Sequence, residues 1–392
     1  MRNTLTISLF LLFQNLFAQD IALSEVAQIS VITCAPSQDE LYSAFGHSAI
    51  RVYDPELNID HAFNYGVFDF DQPNFYLNFT RGHLLYKLAV QPYPRFREIY
   101  LYYGRWVHEQ VLELSQEQKQ KLFDYLQWNA RPENQNYLYD YFYNNCATKI
   151  RDVFKEVLQD EIEFDGSFIT TNYTIRELTD LYLKEQPWGD LGIDICLGLP
   201  MDKKATSYEY MFLPDYVELS FEHASINSNG EKKSAVKNIV VSNPAYNPST
   251  ENIWPHPWIL FGIVLLFISA ITLRDLKVKK VSKWLDFILL FLTGAIGCLL
   301  FILWVATDHH AAANNFNLLW AIPFNLPFAF LIFRKRKITS QYFAILAGIT
   351  LLTLLLWPIL PQKLNVFLLP IVVGLVMRYF TNYWFSRKIT YG

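Results

Sequence analysis

The chain has 392 residues, of which 52% are hydrophobic, 17% aromatic and only 18% charged, a balance that argues against a single compact soluble domain. Its net charge of −4, with no long basic run in the first half, argues against a nucleic-acid partner. Charge dominates up to about residue 235 and apolar residues dominate from about residue 254, as in a water-facing domain followed by a membrane domain.

Arg2 and the apolar run Leu5–Phe17, ending in the small residue Ala18, predict a signal peptide over residues 1–18. The exported domain is then expected over 19–224. Ile29–Thr33 reads as a strand. Ser48–Tyr53 and His61–Tyr65 read as a hairpin joined by Asp54-Pro55-Glu56-Leu57-Asn58, where Pro, Asp and Asn supply turn chemistry. Trp106–Leu114 alternates as another strand. Ser115 with Gln118 forms a capping box for a helix that ends before Pro132. Tyr137–Tyr143 is aromatic and extended or irregular. A helix begins near Cys146, with Ile150, Val153, Phe154 and Val157 at helical spacing, and another runs from about Thr174 to Glu185. The domain is therefore expected to be α+β. Residues 225–253, rich in Ser, Asn and Pro, read as a linker.

Residues 254–392 predict an all-α bundle of about five transmembrane helices, near 254–273, 284–305, 317–333, 342–360 and 366–385. The third is the weakest, carrying Pro323, Asn325 and Pro327. Arg274, Lys277, Lys279, Lys280 and Lys283 fill the first connecting loop, Arg334–Lys337 the third, and Arg378, Arg387 and Lys388 the tail. The bias places those loops and the C-terminus in the cytosol and the N-terminal domain outside.

Two short stretches carry candidate chemistry. In Phe45-Gly46-His47-Ser48, a histidine opens a strand after glycine; in Asn144-Asn145-Cys146-Ala147-Thr148, a cysteine opens an amphipathic helix. The helix N-terminus favours thiolate, and a neighbouring histidine would help generate it. Taken singly, each residue has an ordinary structural reading; together they are more specific. Cys34, Cys146 and Cys196 make an odd exported set, so at least one is unpaired within the chain, and whether Cys34 bridges Cys196 stays open.

His-on-strand before Cys-on-helix resembles the permuted NlpC/P60 papain-like group, including lecithin:retinol acyltransferase-like proteins. More closely, the exported half resembles the periplasmic domain of Lnb-type bacterial lipoprotein N-acyltransferases. The matching pieces are Thr33–Pro36, Phe45–Val52, Phe63–Phe70, Asn74–Tyr76, Asn144–Thr148 and Met211–Pro214. The resemblance implies a membrane-bound acyltransferase of the cytoplasmic (inner) membrane with Cys146 as nucleophile and His47 as general base. It implies a phospholipid donor, a lipoprotein acceptor and no cofactor. The alternatives are a membrane-tethered cysteine amidase or peptidase acting on cell-wall peptides, and a non-enzymatic envelope module.

A third, orienting residue is expected. With the turn centred near Glu56–Leu57, Ala49 lies opposite Asn64, which puts Asn64 on the His47 face. Asn64 is thereby preferred to His61 and Asp60, although a one-residue slip would exchange Asn64 for His61. Arg51 shares that face and suits either an anionic headgroup or a local ion pair. Tyr65, and His309 in the polar loop between two spans, are further substrate-side candidates. Adjacent His309 and His310 give no metal-ligand set by themselves.

Overall fold

The computed structural model describes residues 21–69, 71–228, 230–246, 254–333 and 337–390, so the expected signal peptide lies outside the described residues. In chain order the N-terminal domain contains β1 (Gln28–Cys34), β2 (His47–Asp54), β3 (Ile59–Val67), α1 (Phe75–Arg81), β4 (Leu84–Pro92), α2 (Tyr93–Tyr102), β5 (Val107–Leu112) and α3 (Gln116–Asn129). There follow β6 (Asn136–Tyr139), α4 (Cys146–Leu158), β7 (Ile162–Glu163), α5 (Ile175–Tyr182), α6 (Pro187–Cys196), α7 (Ser207–Tyr210), α8 (Pro214–His223), β8 (Ser225–Ser228), β9 (Glu231–Ser234) and β10 (Val236–Ser242). Seven strands form one antiparallel sheet in the order β10-β5-β1-β2-β3-β4-β6, and β7-β8-β9 form a smaller one. The α+β expectation holds.

The main sheet is buried on both faces at its centre, which explains why β1 carries apolar residues on both faces and no period-two alternation. Ile29, Val31, Ile50, Val52, Phe63 and Tyr65 face a large core shared with Leu122 of α3, Ile150 and Phe154 of α4, and Val217 of α8. Ile32, Cys34, Ala49 and Ala62 face the other way, under Tyr93 and Phe96 of α2. The β2–β3 hairpin has the register expected from its turn, with Ile50 paired to Phe63 and Arg51 to Ala62.

The linker reading of 225–253 is corrected. Residues 225–242 carry three strands, and β10 closes the β5 edge of the main sheet. An edge strand paired on one side needs no amphipathic alternation, and Ile239, Val240 and Val241 are all exposed. The sequence therefore carries no period-two signal there. Residues 247–253 lie outside the described residues.

The membrane domain contains α9 (Pro257–Val278), α10 (Lys283–Val305), α11 (Asn325–Leu331), α12 (Lys337–Leu356) and α13 (Leu369–Thr390). Among the described residues, four segments are long and apolar enough to span a bilayer: 257–278, 283–305, 338–359 and 366–387. The expected third span is not a continuous helix, because Pro323 and Pro327 interrupt it and α11 has only seven residues. This segment instead lies antiparallel along α10. Glycines at 294 and 297 admit it, since a Cβ at either would lie 2.2 Å from the backbone of Leu326 or Ala321. Lys283 Nζ reaches Phe333 O at 3.4 Å at the far end. Buried Asn325 donates to Thr293 Oγ1 at 2.9 Å and accepts from Tyr342 Oη at 2.5 Å. Irregular backbone at membrane depth is tolerated where protein covers it in this way.

The two domains are joined through polar contacts. Gly198 N donates to Ala311 O at 2.7 Å, and a Cβ on Gly198 would collide with the Ala313 carbonyl. Gln362 Nε2 donates to Leu197 O at 3.0 Å, while Asn365 Nδ2 donates to Asp190 at 2.8 Å and Asp194 at 2.9 Å. Beneath them, fully buried Arg176 pairs with Asp194 at 2.6 Å and Asp202 at 3.0 Å.

Candidate active site

Asn145 fixes the start of α4. Its side chain accepts from Thr148 N at 2.9 Å, while Thr148 Oγ1 accepts from Asn145 N at 2.8 Å. The Asn145 amide also donates to Phe212 O at 2.8 Å and Tyr141 O at 2.9 Å. The segment Met211–Pro214 thus anchors the cap, and Cys146 becomes the first residue of a helix whose dipole favours a negative sulfur.

His47 is placed by Gly46, whose φ of +79° lies in the left-handed region. A Cβ there would also sit 2.9 Å from the Cys34 carbonyl, so the position admits only glycine without a shift of the backbone. His47 Nε2 hydrogen-bonds Asn64 Oδ1 at 2.6 Å. That leaves Nδ1 as the nitrogen available to the thiol. The His47 ring stacks on Tyr100 of α2, with centroids 6.0 Å apart and planes 12° apart.

Cys146 approaches from the face of the sheet that α4 covers, whereas His47 belongs to the face under α2. Gly66 lets them meet. It lies at a register irregularity in β3 with φ +88°, and a Cβ there would be 3.3 Å from Cys146 Cβ and 3.9 Å from His47 Cε1. The missing side chain provides the passage between the faces.

The two groups polarise one another. Burial pushes the Cys146 thiol up, but the charge and hydrogen bond of His47, with the N–H groups of Ser48 and Ala147, outweigh it and hold the thiol below its ordinary value. Burial pushes His47 down and Arg105 opposes its charge. The charge and hydrogen bond of Cys146, together with Asn64, outweigh both and raise it. Each shift favours the charged form of its own group, and the thiolate is the form in which cysteine is a nucleophile.

The other sequence-predicted residues are placed differently. Arg51 is held by Asp60 at 2.7 Å and Glu109 at 2.9 Å and lies over the Tyr93 ring, so it takes the ion-pair role rather than the headgroup role. Tyr65 is a core residue: it is buried on the opposite face of β3 from Asn64, with its hydroxyl donating to Asn129 Oδ1 at 2.5 Å. His309 joins the domains, its Nε2 bonding Phe79 O at 3.1 Å. All four cysteines are free, and Cys34 and Cys196 are not bridged.

Sequence reasoning missed Gly66, Tyr100, Tyr139 and Arg105. Phe96 and Tyr100, four apart on α2, are the legible trace of the helix that covers His47. Tyr139 Cε2 lies 3.8 Å from the position a Gly66 Cβ would take. Arg105 Nε donates to Ala35 O at 2.5 Å and its guanidinium lies over Tyr100, yet its buried Nη2 has no hydrogen-bond partner. A cavity of about 510 Å³ opens elsewhere, at the domain junction, lined by Asp180, Asp190, Asp194 and Lys363.

Comparison with known proteins agrees with this architecture. The model of the Lnb N-terminal periplasmic domain matches residues 13–180, and that of the Lnb transmembrane domain matches residues 249–389. No curated protein and no solved structure matches the chain. The first matched stretch holds His47, Asn64 and Cys146, and the second holds the membrane helices: the chain belongs to the Lnb family, as a membrane protein with an N-terminal periplasmic domain.

Proposed function

We propose that this protein is a lipoprotein N-acyltransferase of the cytoplasmic membrane. The observation that carries the reading is the His47–Asn64–Cys146 group, in which thiol and imidazole each favour the other's charged form, in a domain fixed to a membrane bundle. The Cys146 thiolate attacks the ester carbonyl of a phospholipid. Backbone N–H groups in the first turn of α4 stabilise the oxyanion. Imidazolium His47 gives its proton to the departing glycerol oxygen, leaving a lysophospholipid and a Cys146 acyl-thioester. The amino group of a lipid-modified N-terminal cysteine then attacks that thioester. His47 takes the proton from the amine as the thiolate departs, so ester and amine become alcohol and amide. Asn64 is the positioning residue for His47. Arg105, rather than the saturated Arg51, is the guanidinium offered to the donor phosphate.

Tethering both lipid-anchored substrates and the enzyme to one bilayer raises their effective concentration without a new contact. The basic residues at 274–283 and 334–337 and in the C-terminal tail support a cytosolic C-terminus. A cysteine amidase of cell-wall peptides would use the same group with water as acceptor. The aromatic residues leading from Cys146 toward the membrane domain favour lipid.

The test is Cys146→Ala in a host with no second enzyme of this activity, followed by mass measurement of lipoprotein N-terminal peptides. Loss of one acyl chain and exposure of a free amine is expected. Lipoproteins that keep three chains would overturn the reading.

A further inference from the structure

Helix α1 has no buried residue. Tyr76 is 76% exposed, Leu77 55% and Phe79 41%, an unusual apolar concentration for one short helix facing water. Its position along the membrane normal is set by the bundle. Asp308 N donates to Arg81 O at 2.9 Å, His83 Nε2 meets Asp308 Oδ2 at 2.5 Å, and His309 Nε2 bonds Phe79 O. Asp308 follows within three residues of Val305, the last residue of α10, where Trp304 and Val305 are themselves exposed. Helix α1 is therefore held at the height where a spanning helix ends. Aromatic and aliphatic side chains at that depth lie among headgroups and upper acyl chains.

Behind this exposed face a series of rings leads inward. Phe79 lies 6.0 Å from Phe75, Phe75 lies 6.2 Å from Phe68, and Phe68 lies 5.0 Å from Tyr86. Tyr86 stacks on Tyr139 at 4.2 Å, and Tyr139 flanks the Gly66 passage beside Cys146. We infer that α1 is a membrane-seated mouth: Tyr76, Leu77 and Phe79 sit in the leaflet on the periplasmic side, and the Phe75–Phe68–Tyr86–Tyr139 rings line the route of an acyl chain from that leaflet to Cys146.

The seating stands on the contacts between α1 and the 308–309 loop; the route rests on the acyl-transfer reading above. Two measurements keep them apart. The full-length Cys146→Ala protein is placed in phosphatidylethanolamine vesicles carrying a diazirine in one acyl chain, irradiated, and its adducts mapped by mass spectrometry. Adducts on residues 75–79 as well as on the spans 257–305 are expected. Adducts on the spans alone would overturn the seating, whatever the chemistry of Cys146, and would give α1 to a protein partner instead.

In the otherwise native protein, the double variant Tyr76→Ser/Phe79→Ser is compared on vesicle phospholipid and on a water-soluble short-chain ester. The ratio of the first rate to the second is expected to fall about tenfold, because only the bilayer substrate uses the mouth. An unchanged ratio would overturn the route. Absence of turnover on both substrates in the unmodified protein would instead sink the acyl-transfer reading and leave the adduct map to decide the seating.

Discussion

Around Arg176, at the junction of the two domains, the guanidinium is matched on every side. Asp194 and Asp202 take its charge, and the carbonyls of Leu197 and Gly198 accept from Nη2 at 3.0 and 3.2 Å. Around Cys146, the sulfur is also buried, but the group that favours its charged form is a histidine, which can itself give up its proton. Both regions bury titratable or charged groups and both depend on a helix packed against another segment. The first uses its charges to hold two domains in one geometry. The second leaves a thiol and an imidazole, the proposed nucleophile and proton carrier, uncommitted. Buried charge is thus no sign of chemistry by itself; what distinguishes the proposed active region is a partner able to release its proton.

Four measurements would break or sharpen that contrast. The largest effect is expected at the junction. Arg176→Ala strands two carboxylates in a buried site and should cost about 3–5 kcal/mol, read as a lowered thermal midpoint of the full-length protein in detergent. A midpoint unchanged within error would mean that the junction is not held by charge.

Asn64→Ala should leave the fold intact and slow the proposed acyl transfer about tenfold to a hundredfold, the equivalent of the ~1.5–3 kcal/mol carried by a hydrogen bond to a charged partner. Removing Asn64 also removes one of the interactions that raises His47. The alkaline limb of the rate profile should therefore move to lower pH, a shift that a general loss of folding would not produce.

The junction also predicts a pH dependence. Burial and the neighbouring carboxylates raise Asp180 and Asp190 to about 6 each. A carboxyl whose pKa rises on folding stabilises the fold below its unfolded value near 3.8, and that contribution is lost as pH climbs through about 6. The thermal midpoint should therefore be higher near pH ~5 than near pH ~7, and Asp190→Asn should flatten the difference by about 2 °C or more. A steeper dependence in the variant would reverse the assignment.

The smallest effect is expected at Cys34, which lies opposite His47 in the β1–β2 pairing. Burial pushes its thiol up, with only partial relief from Arg105. Iodoacetamide should label Cys146 and spare Cys34 in the folded protein, and Cys34→Ala should keep turnover within about threefold. Labelling of both at equal rates would remove the distinction between a strand cysteine and a helix-terminal one.

Local chemistry made much of the active region legible. The Pro-Glu-Leu-Asn turn fixes the β2–β3 register, and the register alone puts Asn64 beside His47. Asn145 before Cys146 announces a capped helix with a thiol at its positive end. Arg51 and Tyr65 were not legible in the same way. Alternation puts Arg51 on the His47 face but names no partner for it, and it puts Tyr65 on the face away from Asn64, against a substrate-side place. The carboxylate of Glu109 that holds Arg51 comes from β5, 58 residues away in the chain.

The sequence by itself determined the division into an α+β domain and a helical membrane region, because hydropathy and charge are local and additive along the chain. It determined the two helix-cap and hairpin signals that position His47, Asn64 and Cys146, because these depend on residues a few places apart. Only the tertiary structure decided that β10 completes the sheet, that the segment after α10 packs as broken backbone against glycines, and that Gly66 opens the passage between His47 and Cys146. Each of these depends on which distant surface fills the space beside a residue, and no periodicity encodes that.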